Sequence, residues 1–306
     1  MNRPATHPVP PLPRLRVDYV DGVSPESLLA QADVLAVFGF GDSAPAIDDP
    51  RWLRVPLQPF GASLLEVWRG QAPVRHGRDG SIAWSTDGEL IFGAIEVDEP
   101  EGHTGEGDHS GILLAAEQAY RELTDFIGAG EFPHLLRIWN YLDAIVDGEG
   151  DQERYRQFCI GRARGLGDFD PQTLPAATAI GRVDGVRVLQ VYWLAARQPG
   201  TAVENPRQVS AYNYPRQYGP QPPSFARAML PAAGSDLPLM LSGTASVVGH
   251  RSLHAGHTLR QLQETFVNFQ SLLDSARAHQ PGLPAGFGRD SLLKIYLEDQ
   301  AELAGL

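Results

Sequence analysis

The clearest pattern along the chain is an amphipathic helix followed by a short apolar strand, and this pattern occurs twice. In Ile112–Ile127 apolar residues recur every three or four positions, as on one face of an α-helix, and Thr258–Leu273 has the same spacing. Two apolar segments of similar sequence, Leu135–Trp139 and Leu292–Tyr296, follow these helices. The shared order and the shared strand sequence predict an internal duplication.

Each predicted helix is also preceded by a pair of predicted strands. The pair consists of Ile82–Ser85 with Glu89–Val97 in the first copy, and of Leu237–Ser242 with Ala245–Gly249 in the second. Each copy is therefore expected to contain a sheet with helices packed on one face.

The first copy continues beyond its strand, whereas the second does not. Asp151–Arg164 predicts a helix, and Leu174–Gly181 and Val186–Ala196 predict strands, with the hairpin-type dipeptide Asp184-Gly185 between them. The second copy ends shortly after its strand, so we expect it to be incomplete. The fold class expected is α+β, in two tandem units of which the second is incomplete.

The remaining segments complete the expected domain organisation. Leu28–Phe38 is compatible with a helix running into a strand, Leu64–Trp68 with a strand, and the stretch between the copies is rich in proline and tyrosine, as in a stiff ordered loop. We therefore predict an N-terminal extension (1–74), a first unit (75–200), an ordered connector (201–236) and a truncated second unit (237–306).

Composition and charge narrow the function classes. The 306 residues are 42% hydrophobic and 20% charged, which is typical of a globular protein, and the net charge of −12 argues against nucleic acid or an anionic membrane as partner. The single cysteine, Cys159, excludes an internal disulfide framework and favours the cytoplasm. Lys294 is the only lysine, so nearly all positive charge is carried by arginine, whose planar guanidinium suits carboxylate recognition.

Three arginines lie where they have either a structural or a ligand-binding explanation. Arg137 lies within an apolar strand beside Tyr141, where a buried ion pair and a bound carboxylate are both possible. Arg162 lies near the end of a predicted helix and either interacts with the helix dipole or binds a ligand. Arg216 is flanked by tyrosines that include Tyr212 and Tyr214, so it is either an exposed loop residue or part of a small anion site.

Two further segments were considered for chemistry. The small residues Ser242, Gly243, Thr244 and Ala245 follow a predicted strand and would let a ligand approach the backbone N–H groups. The trio His250, His254 and His257 has spacing that is compatible with zinc, but the glycines beside it argue against a continuous helix, and we expect no metal.

Four separated stretches resemble the chorismatase family, in which each of two units is similar to the small imine-deaminase fold. The resemblance implies that each unit is a mixed sheet with helices packed on one face. The stretches are His134–Tyr141, Glu153–Arg164, Glu204–Pro215 and Leu241–His250. The resemblance implies an enzyme of lyase type that releases pyruvate from chorismate without a cofactor. It favours 3-hydroxybenzoate as product, possibly with 4-hydroxybenzoate. The alternatives are hydrolysis to a dihydroxycyclohexadiene carboxylate and a non-catalytic module that binds aromatic carboxylates.

The resemblance also implies where the site lies. Chorismate is a dianion, and we expect it between the two units, lined by the arginines, tyrosines and small residues named above. The family's catalytic glutamate lies on the last strand of the second unit, which we expect to be absent, so the catalytic acid is unassigned. The implied organism is a bacterium, and the expected oligomeric state is a monomer or a homotrimer.

Overall fold

The structure is a computed structural model, and it describes residues 13–71, 73–100 and 110–298. Residues 1–12 of the predicted N-terminal extension and residues 299–306 of the predicted second unit lie outside these ranges. In the described ranges no helix is both long and apolar enough to cross a membrane.

The N-terminal part forms a four-stranded sheet because one strongly apolar segment, VLAVFGF, becomes its central strand. That strand pairs with a parallel neighbour on one side and an antiparallel neighbour on the other, in the order β1-β4-β2-β3. The predicted helix-to-strand transition in Leu28–Phe38 is confirmed. The elements are β1 (Arg16–Val20), α1 (Pro25–Leu29), β2 (Val34–Phe40), β3 (Trp52–Val55) and β4 (Leu65–Arg69).

The predicted first unit is a six-stranded mixed sheet with two helices on one face. Its strand order is β5-β6-β7-β10-β8-β9, and only the β8–β9 pair is parallel. The elements are β5 (Arg75–Asp79), β6 (Ile82–Thr86), β7 (Leu90–Asp98), α2 (Gly111–Ala129), β8 (His134–Asp143), α3 (Arg154–Leu166), β9 (Ala176–Arg182) and β10 (Val188–Ala196).

The two helices approach each other closely because α3 carries glycines on the contact face. A Cβ atom added at Gly165 would lie 2.6 Å from the carbonyl oxygen of Glu117 on α2. The buried face of α2, which includes Tyr120 and Leu123, packs on the sheet as its periodicity predicts.

The predicted hairpin at Asp184-Gly185 is wrong, although both of its strands exist. β9 and β10 lie on opposite sides of β8, so the chain crosses over rather than turning back on itself. Gly185 does adopt a positive φ of 73°, and its N–H donates to Asp143 at 3.0 Å. The dipeptide therefore turns the chain locally, whereas the pairing is set by the apolar faces that the strands bury.

The other face of the six-stranded sheet packs against the N-terminal sheet through aromatic rings. Phe38 and Trp68 come from the N-terminal sheet, and Phe92, Trp139 and Tyr192 from the six-stranded one. The Trp139 and Tyr192 rings are stacked with centroids 5.0 Å apart. This aromatic layer gives the strand β8 a rigid, apolar environment.

The remainder of the chain forms a small third sheet, a hairpin and one long helix. The helix packs on the three-stranded sheet β11-β12-β13 through Leu272 and Ala276. The elements are β11 (Thr201–Val203), β12 (Ala228–Leu230), β13 (Met240–Leu241), β14 (Val247–Val248), β15 (Arg251–Ser252) and α4 (Thr258–His279). The α+β class with mixed sheets is confirmed.

Two strand predictions in this part are wrong. Leu237–Ser242 and Ala245–Gly249 do not pair with each other, because β13 pairs with β12 and β14 pairs with β15. Leu292–Tyr296 is not a strand, since no strand in the described chain lies beside it to form a ladder. The predicted connector, 201–236, contains both β11 and β12.

Candidate active site

The first component of the site is Arg137, which the pleat of β8 places on the same face as Trp139 and Tyr141. Arg137 is 6% exposed, and its guanidinium lies 4.6 Å from the centroid of the Trp139 ring. It donates to the carbonyl oxygen of Ile138 at 3.0 Å and to the hydroxyl of Thr178. Burial lowers the pKa of Arg137 to about 10, so the group is still charged at neutral pH.

The second component is Arg162 on α3, which is 3% exposed. Its guanidinium lies 4.9 Å from the centroid of the Tyr120 ring. In the described part of the chain, Nε and Nη2 of Arg162 are buried without a hydrogen-bond partner. A buried guanidinium with free donors is costly, because its lost hydration is not replaced.

A short chain of hydrogen bonds runs from Tyr120, whose ring contacts Arg162, to Arg137. The Tyr120 hydroxyl, beneath Arg162, donates to Oδ1 of Asn140 at 2.7 Å. Nδ2 of Asn140 donates to the carbonyl oxygen of Thr178 at 3.0 Å, and the hydroxyl of Thr178 accepts from Arg137. Burial is the largest cause of the lowered pKa of Arg137, and the positive charge of Arg162 also lowers this pKa.

The pairing of two buried like charges is the main electrostatic feature of the site. Among residues 13–71, 73–100 and 110–298, no carboxylate forms an ion pair with Arg137 or Arg162. Each of these buried guanidinium groups lacks a carboxylate counter-ion in the described ranges and is suited to bind one carboxylate of a ligand.

The predicted small-residue segment lies along the open edge of β9, next to this pair. The N–H of Gly243 donates to Ala177 at 3.0 Å, and Ala177 in turn donates to the Ser242 hydroxyl at 2.9 Å. A Cβ atom added at Gly243 would lie 3.3 Å from the side chain of Thr178. The segment thus contacts Thr178, the residue whose hydroxyl accepts from Arg137.

Its backbone is less available for an oxyanion than predicted. The Gly243 N–H is used by the β9 edge, and the Ala245 carbonyl oxygen accepts from Asn268 at 3.0 Å. The Thr244 hydroxyl donates to the Ser242 carbonyl oxygen at 3.0 Å. Of the four backbone N–H groups of the segment, those of Ser242 and Gly243 are therefore already used in hydrogen bonds to Arg227 and Ala177.

Tyr141 belongs to a network of three phenols beside Arg137. Its hydroxyl lies 2.9 Å from that of Tyr192 and 3.0 Å from that of Tyr296. Burial raises the pKa of Tyr141 and the pKa of Tyr192 well above the ordinary phenol value, so both stay protonated at neutral pH.

The structure does not bring Arg216 to the buried arginines. Its side chain is 65% exposed and forms a two-pronged ion pair with Asp151. Sequence reasoning missed this carboxylate because it lies 65 residues earlier in the chain. Of the three tyrosines around Arg216, Tyr212 is half-buried on a short turn, and Tyr218 contacts both His250, at 3.0 Å, and the ring of Tyr214, with centroids 5.4 Å apart.

Tyr214 instead contacts a buried arginine that sequence reasoning missed. Arg227 is 5% exposed, donates to the Tyr214 hydroxyl at 2.9 Å, and lies between the rings of Tyr214 and Phe225. Its backbone N–H donates to Glu204 at 3.3 Å, and burial raises the pKa of Glu204. The only sequence signal for Arg227 was an arginine near an aromatic residue in a proline-rich loop.

The three histidines are separated by their partners. His250 contacts Tyr218, and His254 lies 3.4 Å from a carboxylate oxygen of Glu264, which also pairs with Arg207. In the portion of the chain that the structure describes, no three metal-ligating side chains come together.

The chain is similar to proteins of one family along most of its length. A family model described as chorismatase FkbO/Hyg5-like, N-terminal, matches residues 66–195. A chorismatase of Streptomyces rapamycinicus is 33% identical over 250 residues, which cover 79% of this chain and 72% of that protein. A 3-hydroxybenzoate synthase of Streptomyces hygroscopicus is 35% identical over 253 residues, which cover 79% of this chain and 71% of that protein.

Solved structures agree with the sequence relatives. A crystal structure of a chorismatase matches with a TM-score of 0.73 and 30% sequence identity, over 87% of this chain and 80% of that one. The identity to these relatives, together with the share of their length that is covered, assigns the fold and the enzyme family. The chain belongs to the chorismatase family.

Proposed function

We propose that this chain releases pyruvate from chorismate and forms 3-hydroxybenzoate. Two relatives bear the name chorismatase or 3-hydroxybenzoate synthase, and they support the reaction class and the product respectively. The observation that carries the proposal is the pair of buried guanidinium groups, Arg137 and Arg162, which have no carboxylate partner among the described residues.

The substrate has the charge that this pair requires. Chorismate carries one carboxylate on its ring and a second on its enolpyruvyl ether, so each guanidinium can bind one of them. A hydrogen bond to a charged group contributes about 1.5–3 kcal/mol, and a two-pronged arginine–carboxylate pair forms two of them. The aromatic rings of Trp139 and Tyr192 supply an apolar surface beside Arg137 for the unsaturated ring.

The reaction needs a proton at the methylene carbon of the enol ether. Protonation gives an oxocarbenium ion, which either water or the ring's own C4 hydroxyl attacks. The bond between the ether oxygen and the former vinyl carbon then breaks, so that the ether oxygen stays on the ring and pyruvate carries the attacking oxygen, with the former methylene as its methyl carbon. When the C4 hydroxyl attacks, the C4–O bond also breaks, and loss of the C3 proton gives the aromatic ring of 3-hydroxybenzoate. Formation of 3-hydroxybenzoate consumes no water, whereas formation of the dihydroxycyclohexadiene carboxylate consumes one molecule. In the described chain, no carboxyl group contacts Arg137 or Arg162, so we assign both residues to binding and not to proton transfer.

The same arrangement favours a second candidate function. Two binding arginines without an adjacent acid also suit a module that holds aromatic dicarboxylates without converting them. Calorimetry with chorismate separates the candidates, because a binding module gives heat of binding without pyruvate.

The experiment combines binding with product analysis. The purified chain is incubated with chorismate, pyruvate is measured with a coupled lactate dehydrogenase assay, and the aromatic products are separated by chromatography. We expect pyruvate and 3-hydroxybenzoate in equal amounts. Arg137→Met is expected to abolish both, and Arg216→Met, which removes an exposed guanidinium, serves as the matched control. The absence of both chorismate binding and pyruvate release would contradict the proposal. Formation of the dihydroxycyclohexadiene carboxylate would contradict the proposed product.

A further inference from the structure

The segment Leu292–Tyr296, which the sequence predicts as the strand after the second long helix, has a different role in the structure. Residues 291–298, which we call the strap, are irregular and reach the N-terminal sheet. The ammonium of Lys294 lies 2.8 Å from Oε1 and 2.7 Å from Oε2 of Glu66 on β4. The side chain of Lys294 is 19% exposed and that of Glu66 is 0% exposed, so this ion pair is largely buried.

Glu66 is held in a fixed position before the strap contributes anything. Its Oε1 accepts from Trp68 Nε1 at 2.6 Å, and its Oε2 accepts from the Tyr19 hydroxyl at 2.7 Å. Both of these donors are neutral. Among the residues that the structure describes, Lys294 is the cation that compensates this buried carboxylate.

The aromatic layer also favours the position of Lys294. Its ammonium lies 5.7 Å from the ring centroid of Phe38 and 5.6 Å from that of Phe40, distances at which a cation is attracted to the ring faces. The ion pair with Glu66 and the ring contacts with Phe38 and Phe40 thus fix the same position for Lys294, and with it the position of the strap.

Two residues further on, the strap reaches the candidate active site. The Tyr296 hydroxyl lies 3.0 Å from that of Tyr141, which is itself 2.9 Å from the Tyr192 hydroxyl. The three phenols lie beside Arg137 and raise its pKa, which opposes the effect of burial.

We propose that the strap completes the Arg137 side of the substrate site, with Lys294 as a positioning residue. Lys294 acts through its ion pair with Glu66, which places Tyr296 against Tyr141. The inference rests on the proposed function for the identity of the ligand, but not for the attachment of the strap. It assigns a role in substrate binding to an ion pair that lies outside the arginine pair.

The test separates attachment of the strap from binding of the substrate. Hydrogen–deuterium exchange on the full chain without ligand measures the strap, and titration with chorismate measures affinity. Lys294→Met is expected to speed exchange within residues 291–298 and to weaken chorismate binding about tenfold, with a smaller loss for Tyr296→Phe. Lys294→Arg is expected to retain both properties, because a guanidinium can pair with the same carboxylate. Arg78→Met, which removes a charge paired with Asp48 on the surface, is the matched control.

Each outcome is decisive. Unchanged exchange in Lys294→Met overturns the attachment, and faster exchange with unchanged affinity overturns the positioning role. If the wild-type chain does not bind chorismate, the proposed function fails, and the exchange result alone decides whether the ion pair holds the strap. If Lys294→Met does not fold, the double variant Glu66→Gln with Lys294→Met removes both charges together, and the same exchange criterion applies to it.

Discussion

Arg162→Met is expected to make the ligand-free protein more stable while it removes most of its affinity for chorismate. The wild-type guanidinium is 3% exposed, and its Nε and Nη2 atoms have no partner in the described residues. Methionine has a similar length and no charge, so it fills the same space without any donor to satisfy.

The expected size of the effect follows from opposing contributions. An unsatisfied buried donor costs about 1–3 kcal/mol, more when the group is charged, and the substitution removes two such donors. It also removes the stacking on Tyr120, which contributes about 0.5–2 kcal/mol. The free energy of unfolding should therefore rise by about 1–3 kcal/mol, which corresponds to an increase in Tm of about 2–6 °C.

The effect on binding has the opposite sign. Loss of a two-pronged guanidinium–carboxylate pair should cost at least about 3 kcal/mol, which is roughly a hundredfold in Kd. Thermal unfolding with and without chorismate measures both effects on the same samples. Wild type should gain stability from chorismate, and the variant should not.

A matched control shows whether the burial of Arg162 is the cause. Arg216→Met removes an exposed, paired guanidinium and should leave both the free energy of unfolding and chorismate binding nearly unchanged, because exposed ion pairs contribute little to stability. A fall in the Tm of Arg162→Met together with unchanged chorismate affinity would refute the argument, because it would show that Arg162 has a structural role.

Two further predictions concern the helix contact and the phenols. Gly165→Ala should destabilise the protein by several kcal/mol, because the added Cβ atom would lie 2.6 Å from the Glu117 carbonyl oxygen. The control Gly128→Ala, whose Cβ atom would meet nothing within 4 Å, should be neutral or stabilising by up to about 1 kcal/mol. Equal effects of the two substitutions in urea unfolding would contradict this prediction. Because burial raises the pKa of Tyr141 in the folded state, its neutral form is favoured there, and the resulting stability is fully present below the unfolded pKa of about 10 and lost above it. The difference in free energy of unfolding between wild type and Tyr141→Phe should therefore become smaller as the pH rises above about 10. A difference that stays constant from pH 8 to 11 would show that folding does not change the pKa of Tyr141.

The sequence predicts those parts of the fold that follow from local periodicity. The helices α2 and α4 were found because their apolar residues recur at helical spacing, and the strands of the first unit because they are short apolar runs. The crossover between β9 and β10 was not found, since a turn dipeptide contains no information about which strands pair. The strand predicted at Leu292–Tyr296 failed because a strand exists only where a partner edge is available.

The same distinction applies to the site. Arg137 stood out because a charged residue within an apolar segment needs a partner wherever the chain folds, and Arg162 because it lies near the end of a predicted helix. The surface pairing of Arg216 and the burial of Arg227 depend on Asp151 and on Tyr214, which are distant in sequence or lie across a turn. Single-residue patterns therefore identify groups that need a partner, but they do not identify the partner.

The ion pair between Glu66 and Lys294 also has a consequence for the timing of assembly on the ribosome. The two residues are 228 positions apart, so at about 5–20 residues per second the lysine is synthesised roughly 11–46 s after the glutamate. Throughout that interval the nascent N-terminal sheet contains a carboxylate whose counter-charge does not yet exist. Native closure of this layer is consequently a late event in biosynthesis, and the phenols beside Arg137 reach their final arrangement only after it.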